Sequence, residues 1–463
     1  MVNPADFAVS LSTQCDHIRK SLNTKPRDYN WRKAQLLALQ KLIIENDQAL
    51  SNAMWKDIRK SAFECAATEQ GIVLSEIADA LKNLSSWMKP EHVSTSLYNQ
   101  IGRSRIVYEP LGVVLIIGAW NYPVNLLLAP LVGAIAGGNG AVLKPSEIPA
   151  ETAKLISELI PRYLDPDLFA VVQGGPTETD LLLDQKFDLI FFTGSGNVGK
   201  IILTKAAVHL TPVVLELGGK SPAVVGRDAN LSVSARRIAW GKFMNAGQTC
   251  VAPDYVLVHP EVRDAFVGEI KLALHEFYGT NVIKNSDYGR IINEKNFNRL
   301  NHLKEGLEIL HGGASDLKSL FIEPTLVNVK ADAPIMQEEI FGPILPLIAM
   351  SDTQEIIEFI NARPKPLALY VFTKNNELIE KLVQNTSSGA LCVNDVVIHM
   401  PEPALPFGGV GASGMGNYHG KFSFQTFTHA KGVLDKSFWP DIPVRYPPYT
   451  KTKAKWLKRL FEW

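Results

Sequence analysis

The chain has 463 residues, and ~150 residues per domain sets an expectation of two large domains or three smaller ones. Hydrophobic residues are 46% and charged residues 20%, which excludes a disordered, collagen-like or disulfide-stapled chain. Lys plus Arg and Asp plus Glu are both 47, so the basic excess that phosphate binding needs is missing and no nucleic-acid partner is expected. The cysteines, at 15, 65, 250 and 392, form no C-x-x-C pair, which argues against a structural zinc site; no metal is expected. Their scarcity points to a reducing compartment, and the opening MVNPADFAVS has no basic or apolar signal region, so the expected location is cytoplasmic.

Residues 5 to about 90 read as helical, with Trp31, Ala34, Leu37, Ala38 and Leu42 at helical spacing. VSTSLYNQIGRSRIVYEP alternates on both sides of Gly102 and predicts a β-hairpin over about 93–109. From Pro110 to Leu143 no residue is charged, a run long enough for a membrane helix. Asn121, Pro123, Asn125, Pro130 and Gly137-Gly138-Asn139-Gly140 break it. It divides better into a strand (Val113 to Ile117), a helix (Val124 to Ala136) and a second strand (Ala141 to Leu143), a buried βαβ unit. LGVVLIIG, AVLKP, LFAVVQGG, DLIFFTG and PVVLELGG alternate with helix-like stretches such as 151–164 and 200–210. That rhythm predicts an α/β fold with a doubly wound parallel sheet. A second α/β stretch follows, with a helix over 235–243, a strand over 255–259, a helix over 262–277, and the strand-like LALYVF and GALCVN. The expected organisation is residues 1–216 with the hairpin inserted, 217–400, and 401–463, which opens on the glycine-rich LPFGGVGASGMGNYHG.

Three motifs carry chemistry. Gly194-Ser195-Gly196-Asn197-Val198-Gly199 follows an apolar strand and opens a helix, the setting in which G-x-G-x-x-G lets a backbone approach a pyrophosphate. An acid ~20 residues on would hold the ribose, and Glu216 has that spacing. Asn245-Ala246-Gly247-Gln248-Thr249-Cys250 places a thiol on a polar, glycine-containing loop, exposed enough to act as a nucleophile. Glu216-Leu217-Gly218-Gly219-Lys220-Ser221-Pro222 places a carboxylate at a strand end before two glycines.

With GAWNYP (118–123), LKPSE (143–147), FTGS (192–195), LELGGKSP (215–222), GKFMNAGQTCVAPDY (241–255), EEIFGPILP (338–346) and LPFGGVGASGMG (405–416), the sequence resembles the NAD(P)-dependent aldehyde dehydrogenases, most closely the class 3 branch acting on fatty and aromatic aldehydes. The resemblance implies an aldehyde dehydrogenase-like fold: a Rossmann-type sheet, a second catalytic α/β domain and a small oligomerisation hairpin. It implies Cys250 as nucleophile, passing through a thiohemiacetal and a thioester, with Asn121 and the Cys250 backbone N–H as oxyanion donors. Glu216 becomes the base that activates water, against the spacing argument, and the ribose acid becomes Glu147 beside Lys144. Glu339 holds the second ribose, Phe341 lies beside the nicotinamide, and Trp120, Gly194, Ser195 and Gly199 complete the cofactor site. Gly196 stands where family members commonly carry Thr. NAD is the implied cofactor, since an acid at 147 repels a 2′-phosphate, although Lys144 leaves room for NADP. A hydrophobic aldehyde is the implied substrate and a homodimer the implied assembly, with 93–109 and the strand-like stretch after 425 as subunit contacts. The competing readings are a cysteine esterase working without cofactor, an acyl-thioester reductase, and a non-catalytic scaffold.

In 451–463, Trp456, Leu457, Leu460, Phe461 and Trp463 share one helical face, with Lys455, Lys458 and Arg459 largely away from it. Such a basic, aromatic helix either packs on protein or makes a peripheral membrane contact.

Overall fold

The computed structural model describes residues 4–460. The N-terminal region is helical, with Pro4–Thr24, Tyr29–Glu45, Asp47–Ile58 and Gly71–Trp87 as its main helices. The second starts where Asp28 accepts a hydrogen bond from the Trp31 N–H at 3.0 Å, and it buries Leu36, Leu39, Leu42 and Ile43. Between the last two lie a short helix, Ala62–Cys65, and a π-helical turn, Ala66–Gln70.

The first large sheet holds Phe169–Val171, Gly140–Lys144, Val113–Ile117, Leu189–Thr193 and Val213–Glu216 side by side, all parallel. Numbered along the chain these run 3-2-1-4-5, the order of a dinucleotide-binding sheet. Every residue of the three central strands is buried, which requires cover on both faces and accounts for their continuous apolar sequence. The uncharged run is therefore a βαβ unit, its helix spanning Asn125–Gly137. Gly414–Met415 adds antiparallel to Val213–Glu216, so the glycine-rich stretch after 405 returns to the first sheet.

The second sheet runs Glu308–His311, Thr325–Asn328, Ile344–Ala349, Tyr255–Val258, Pro222–Val225, Ala368–Phe372, Ala390–Val393, parallel except for its first strand. Residues 217–221 link it to the first sheet.

The hairpin differs from its expected form. Its first arm is only Glu91–Val93, and Leu97–Asn99 form one 3-10 turn instead of strand. Gly102 begins the long strand Gly102–Pro110, where an added Cβ would lie 2.5 Å from the Asn99 carbonyl oxygen. That strand pairs along its whole length with Thr428–Lys436, from Thr428 opposite Pro110 to Lys436 opposite Gly102. Alternation along one strand does not reveal its partner, and here the partner is far away in sequence. The tail forms the helix Lys451–Leu460, on which Trp456 is 64% exposed. Phe461 and Trp463 lie outside the described residues. Among the described residues no helix is long and apolar enough to cross a membrane.

Candidate active site

A cavity of about 800 Å³ opens at the C-terminal ends of the first-sheet strands, where the strand order reverses. One wall is built by Trp120, Asn121, Lys144, Glu147, the Thr193–Ser195 loop and Glu216. Cys250, Glu339 and Phe341 face it from the second body. Every predicted site residue lines this cavity except Gly199. Gly199 is buried in the helix Gly196–Ala207, where an added Cβ would lie 3.2 Å from the Leu217 side chain, so it serves the packing of helix on sheet. Ser195 caps that helix, its hydroxyl accepting from the Val198 N–H at 3.5 Å. An added Cβ at Gly196 would meet nothing within 4 Å, so this departure from the family pattern leaves the surroundings unchanged.

Cys250 follows a backbone turn that few residues adopt. Asn245, Ala246 and Gly247 are successively left-handed, with φ of 51°, 51° and 76°. For non-glycine residues this conformation costs roughly 1–2 kcal/mol each. Buried hydrogen bonds hold it. The Gln248 amide donates to the carbonyls of Asn245 (3.0 Å) and Arg290 (2.9 Å), and its oxygen accepts from the Ile292 N–H (3.0 Å). Burial, then the nearby Glu339 and Glu216 carboxyls, push the Cys250 thiol up to about 12, while the Cys250 and Val251 N–H groups oppose the shift. Cys250 is half-buried and lines the cavity, and its surroundings by themselves favour the protonated form.

Asn121 is buried and donates one amide N–H to the Gln248 carbonyl at 3.0 Å, across from the cysteine. It does not cap the helix Asn125–Gly137; its backbone carbonyl instead accepts from Lys60 Nζ (3.0 Å) and Asn245 Nδ2 (2.9 Å). Glu216 ends its strand with its backbone carbonyl accepting from the Gly194 N–H at 3.0 Å. Its side chain is buried and neither carboxyl oxygen has a partner. Burial alone pushes this carboxyl well above the usual range. Lys144 is buried, donates to the Pro145 carbonyl at 2.8 Å and lies 3.6 Å from Glu147, which is half-exposed at the cavity edge. Burial pulls the Lys144 amine down.

On the facing wall, burial and the neighbouring Asp254 push Glu339 up to about 8. A Cβ on Gly218 would lie 2.1 Å from a Glu339 carboxyl oxygen, so only glycine admits this approach. Phe341 meets Trp120 edge to face with ring centroids 5.3 Å apart, spanning the two walls.

The sequence reading missed the supports. Lys220 donates to Asp254 (2.5 Å) and to the carbonyls of Ile335 (3.1 Å) and Glu338 (2.8 Å), and Asp254 accepts from the Ile340 N–H (3.0 Å). Together they pin the segment that carries Glu339. Lys220 and Asp254 sit inside the quoted motifs, which was the available signal. Lys60 and Glu69, buried beneath Asn121, sit in no such motif and left none. Lys242 is fully buried, its amine has no hydrogen-bond partner, and burial pulls it down to about 8.

The aldehyde dehydrogenase family model matches residues 23–433. A mouse protein described as a dimeric, NADP-preferring aldehyde dehydrogenase is 49% identical over 443 residues, covering 95% of this chain and 98% of its own length. Aldehyde dehydrogenase family 3 member B1 of Rattus norvegicus is 49% identical over 452 residues, covering 96% of each chain. Among solved structures, the substrate-bound state of Staphylococcus aureus AldH superposes with a TM-score of 0.94 at 45% identity, covering 97% of this chain and 99% of that one.

Proposed function

The chain belongs to the aldehyde dehydrogenase family, and on that premise we propose how its cavity divides the labour of oxidising an aldehyde to a carboxylic acid. The observation that carries the reading is the convergence of a thiol, a partly free amide donor and a buried, unpartnered carboxyl on a single cavity at the strand ends. Cys250 releases its proton to water in the cavity as its sulfur bonds the aldehyde carbon, and the carbonyl oxygen takes the negative charge. The second N–H of the Asn121 amide and the Cys250 backbone N–H stabilise that charge without giving it a proton. NAD(P), when bound, supplies the two-electron acceptor that turns the thiohemiacetal into a thioester. Glu216, in its ionised form, then takes a proton from water as the water attacks the thioester carbon; the thiolate leaves, the acid departs, and the proton passes from Glu216 to the Cys250 sulfur, restoring the thiol. This carboxyl belongs to Cys250 and its chemistry, and its ~20-residue spacing from the glycine loop is coincidence.

The residues present fit a dinucleotide. The strand order, the loop at Gly194 and the N-terminus of the helix Gly196–Ala207 suit a pyrophosphate, and that helix has no acid in its first turn to repel one. Lys144 with Glu147 and, opposite, Glu339 would hold the two riboses, with Trp120 and Phe341 beside the nicotinamide. The Lys144–Glu147 pair carries no net charge, which lowers the repulsion of a 2′-phosphate by the acid and supports use of both NAD and NADP. The mouse relative is named NADP-preferring, which supports a place for NADP.

For substrate, the motifs that resemble the class 3 branch support hydrophobic aldehydes of medium or long chain, or aromatic ones. Arg290, beside the cysteine loop, donates to the carbonyls of Tyr288, Gly289 and Ile283, so it is not offered to a substrate carboxylate. We assign residues 1–216 to cofactor binding, 217–400 to catalysis, and the sheet of Gly102–Pro110 with Thr428–Lys436 to homodimer contact. The exposed Trp456 and its neighbouring lysines support a peripheral membrane contact by the tail.

Reduction of NAD or NADP by purified protein with decanal and with benzaldehyde tests the central claim. Turnover is expected in the wild type and loss of it in Cys250→Ala. Equal turnover in both would overturn the assignment of the nucleophile.

A further inference from the structure

Lys60 and Glu69 form an ion pair in which both side chains are completely excluded from solvent, and neither residue lines the cavity. Lys60 Nζ donates to Glu69 Oε1 at 2.5 Å and to the Asn121 carbonyl at 3.0 Å, and stands 3.9 Å above the centre of the Tyr122 ring. The second Glu69 oxygen accepts from the N–H groups of Val124 (3.1 Å) and Asn125 (2.9 Å), doing for the helix Asn125–Gly137 the work of an N-cap side chain. The pair thus fixes the segment 121–125 at a carbonyl, a ring and two N–H groups.

The same segment is tied to the cysteine loop. Asn121 Nδ2 donates to the Gln248 carbonyl at 3.0 Å, and Tyr122 shares a 2.6 Å hydrogen bond with Thr249, the residue before Cys250. Any shift of 121–125 therefore moves the amide donor relative to the sulfur. A fully buried ion pair is weak evidence for stability, because desolvation offsets the attraction. Glu69 also sits in the π-helical turn Ala66–Gln70, a local irregularity common at functional sites.

We propose that Lys60 and Glu69 are positioning residues of the oxyanion site, setting the Asn121 amide against Cys250. This rests on the reading of Asn121 as an oxyanion donor. Removing Lys60 alone would leave a buried, unpaired carboxyl, so the decisive variant replaces both with apolar residues of similar size, Lys60→Met with Glu69→Leu. Glu69→Gln is the second variant, keeping side-chain volume and an acceptor for the helix N–H groups.

Each variant, Asn121→Ala, and the combination of the double variant with Asn121→Ala are measured for p-nitrophenyl acetate hydrolysis without cofactor. Aldehyde oxidation, cofactor affinity and thermal unfolding are followed in parallel. The expected result is a folded double variant whose kcat for both reactions falls on the order of tenfold or more, with KM and cofactor affinity little changed. Adding Asn121→Ala is expected to cause little further loss, because the two act through one donor. A folded double variant turning over at the wild-type rate while Asn121→Ala is slow would overturn the positioning role alone. Losses that simply add to that of Asn121→Ala would do the same. Wild-type turnover in Asn121→Ala would instead overturn the oxyanion reading and this inference with it. If the double variant does not fold, the same criteria apply to Glu69→Gln.

Discussion

Glu216 concentrates the chemistry of the site in one titration. Its oxygens have no partner and burial raises its affinity for a proton, so the folded protein holds a proton that the unfolded chain releases near the ordinary carboxylate range. The stability due to that proton is fully present below the unfolded value and is lost as pH climbs through the raised one. Wild type is therefore expected to lose Tm relative to Glu216→Gln as pH rises above the ordinary carboxylate range, measured by thermal unfolding at a series of pH values. The same variant is expected to lower the rate of thioester hydrolysis by about 10²–10⁴-fold and to leave the cofactor dissociation constant unchanged. A large rise in that constant with normal hydrolysis would return Glu216 to the ribose. The spacing from Gly196 could not decide between these roles, because a distance along the chain does not show whether a carboxyl faces the pyrophosphate or the thiol.

At the scale of elements, the site depends on short segments in conformations that cost free energy and are held by buried polar contacts. The left-handed turn Asn245-Ala246-Gly247 delivers Cys250, and its glycine is legible in the sequence while the two strained residues before it are not. A Cβ at Gly247 would lie 2.3 Å from the Gly342 carbonyl oxygen, next to the segment carrying Phe341. Gly247→Ala is thus expected to destabilise the protein by roughly 1–3 kcal/mol and to reduce turnover, checked by thermal unfolding and steady-state kinetics. Two buried ion pairs play matching parts on the two walls: Lys60–Glu69 fixes the segment with Asn121, and Lys220–Asp254 fixes the one with Glu339. The hairpin shows what a local pattern leaves open. Alternation marked the strand Gly102–Pro110, but its long partner, Thr428–Lys436, is joined only by folding.

For the whole molecule, assembly and membrane contact are decided at the surface. The three-stranded sheet exposes most of Thr428–Lys436, and the tail beyond it exposes Phe438, Trp439, Tyr449 and Trp456 among lysines. A chain ending at Ser437 is expected to lose flotation with vesicles containing anionic lipid, whereas the full chain floats, more weakly at high salt. Equal flotation of the two chains would sink the membrane contact. Sedimentation of both chains reports whether the protein dimerises as proposed and whether the tail contributes.

The sequence by itself determined the parallel sheets, because strands buried on both faces must be apolar throughout, and so must a helix such as Asn125–Gly137 that is buried all round. It also singled out Cys250, Asn121, Glu216, Glu147 and Glu339 as the candidates for nucleophile, amide donor and carboxyls, since those residue types stood in motifs whose joint occurrence is specific. Only the tertiary structure decided that Gly199 packs and does not line the cavity, that burial pushes the half-buried Cys250 thiol up, and that Lys60 and Glu69 stand beneath Asn121. Each of those depends on burial and on neighbours brought together from distant parts of the chain, which set proton affinity and position through desolvation and contact.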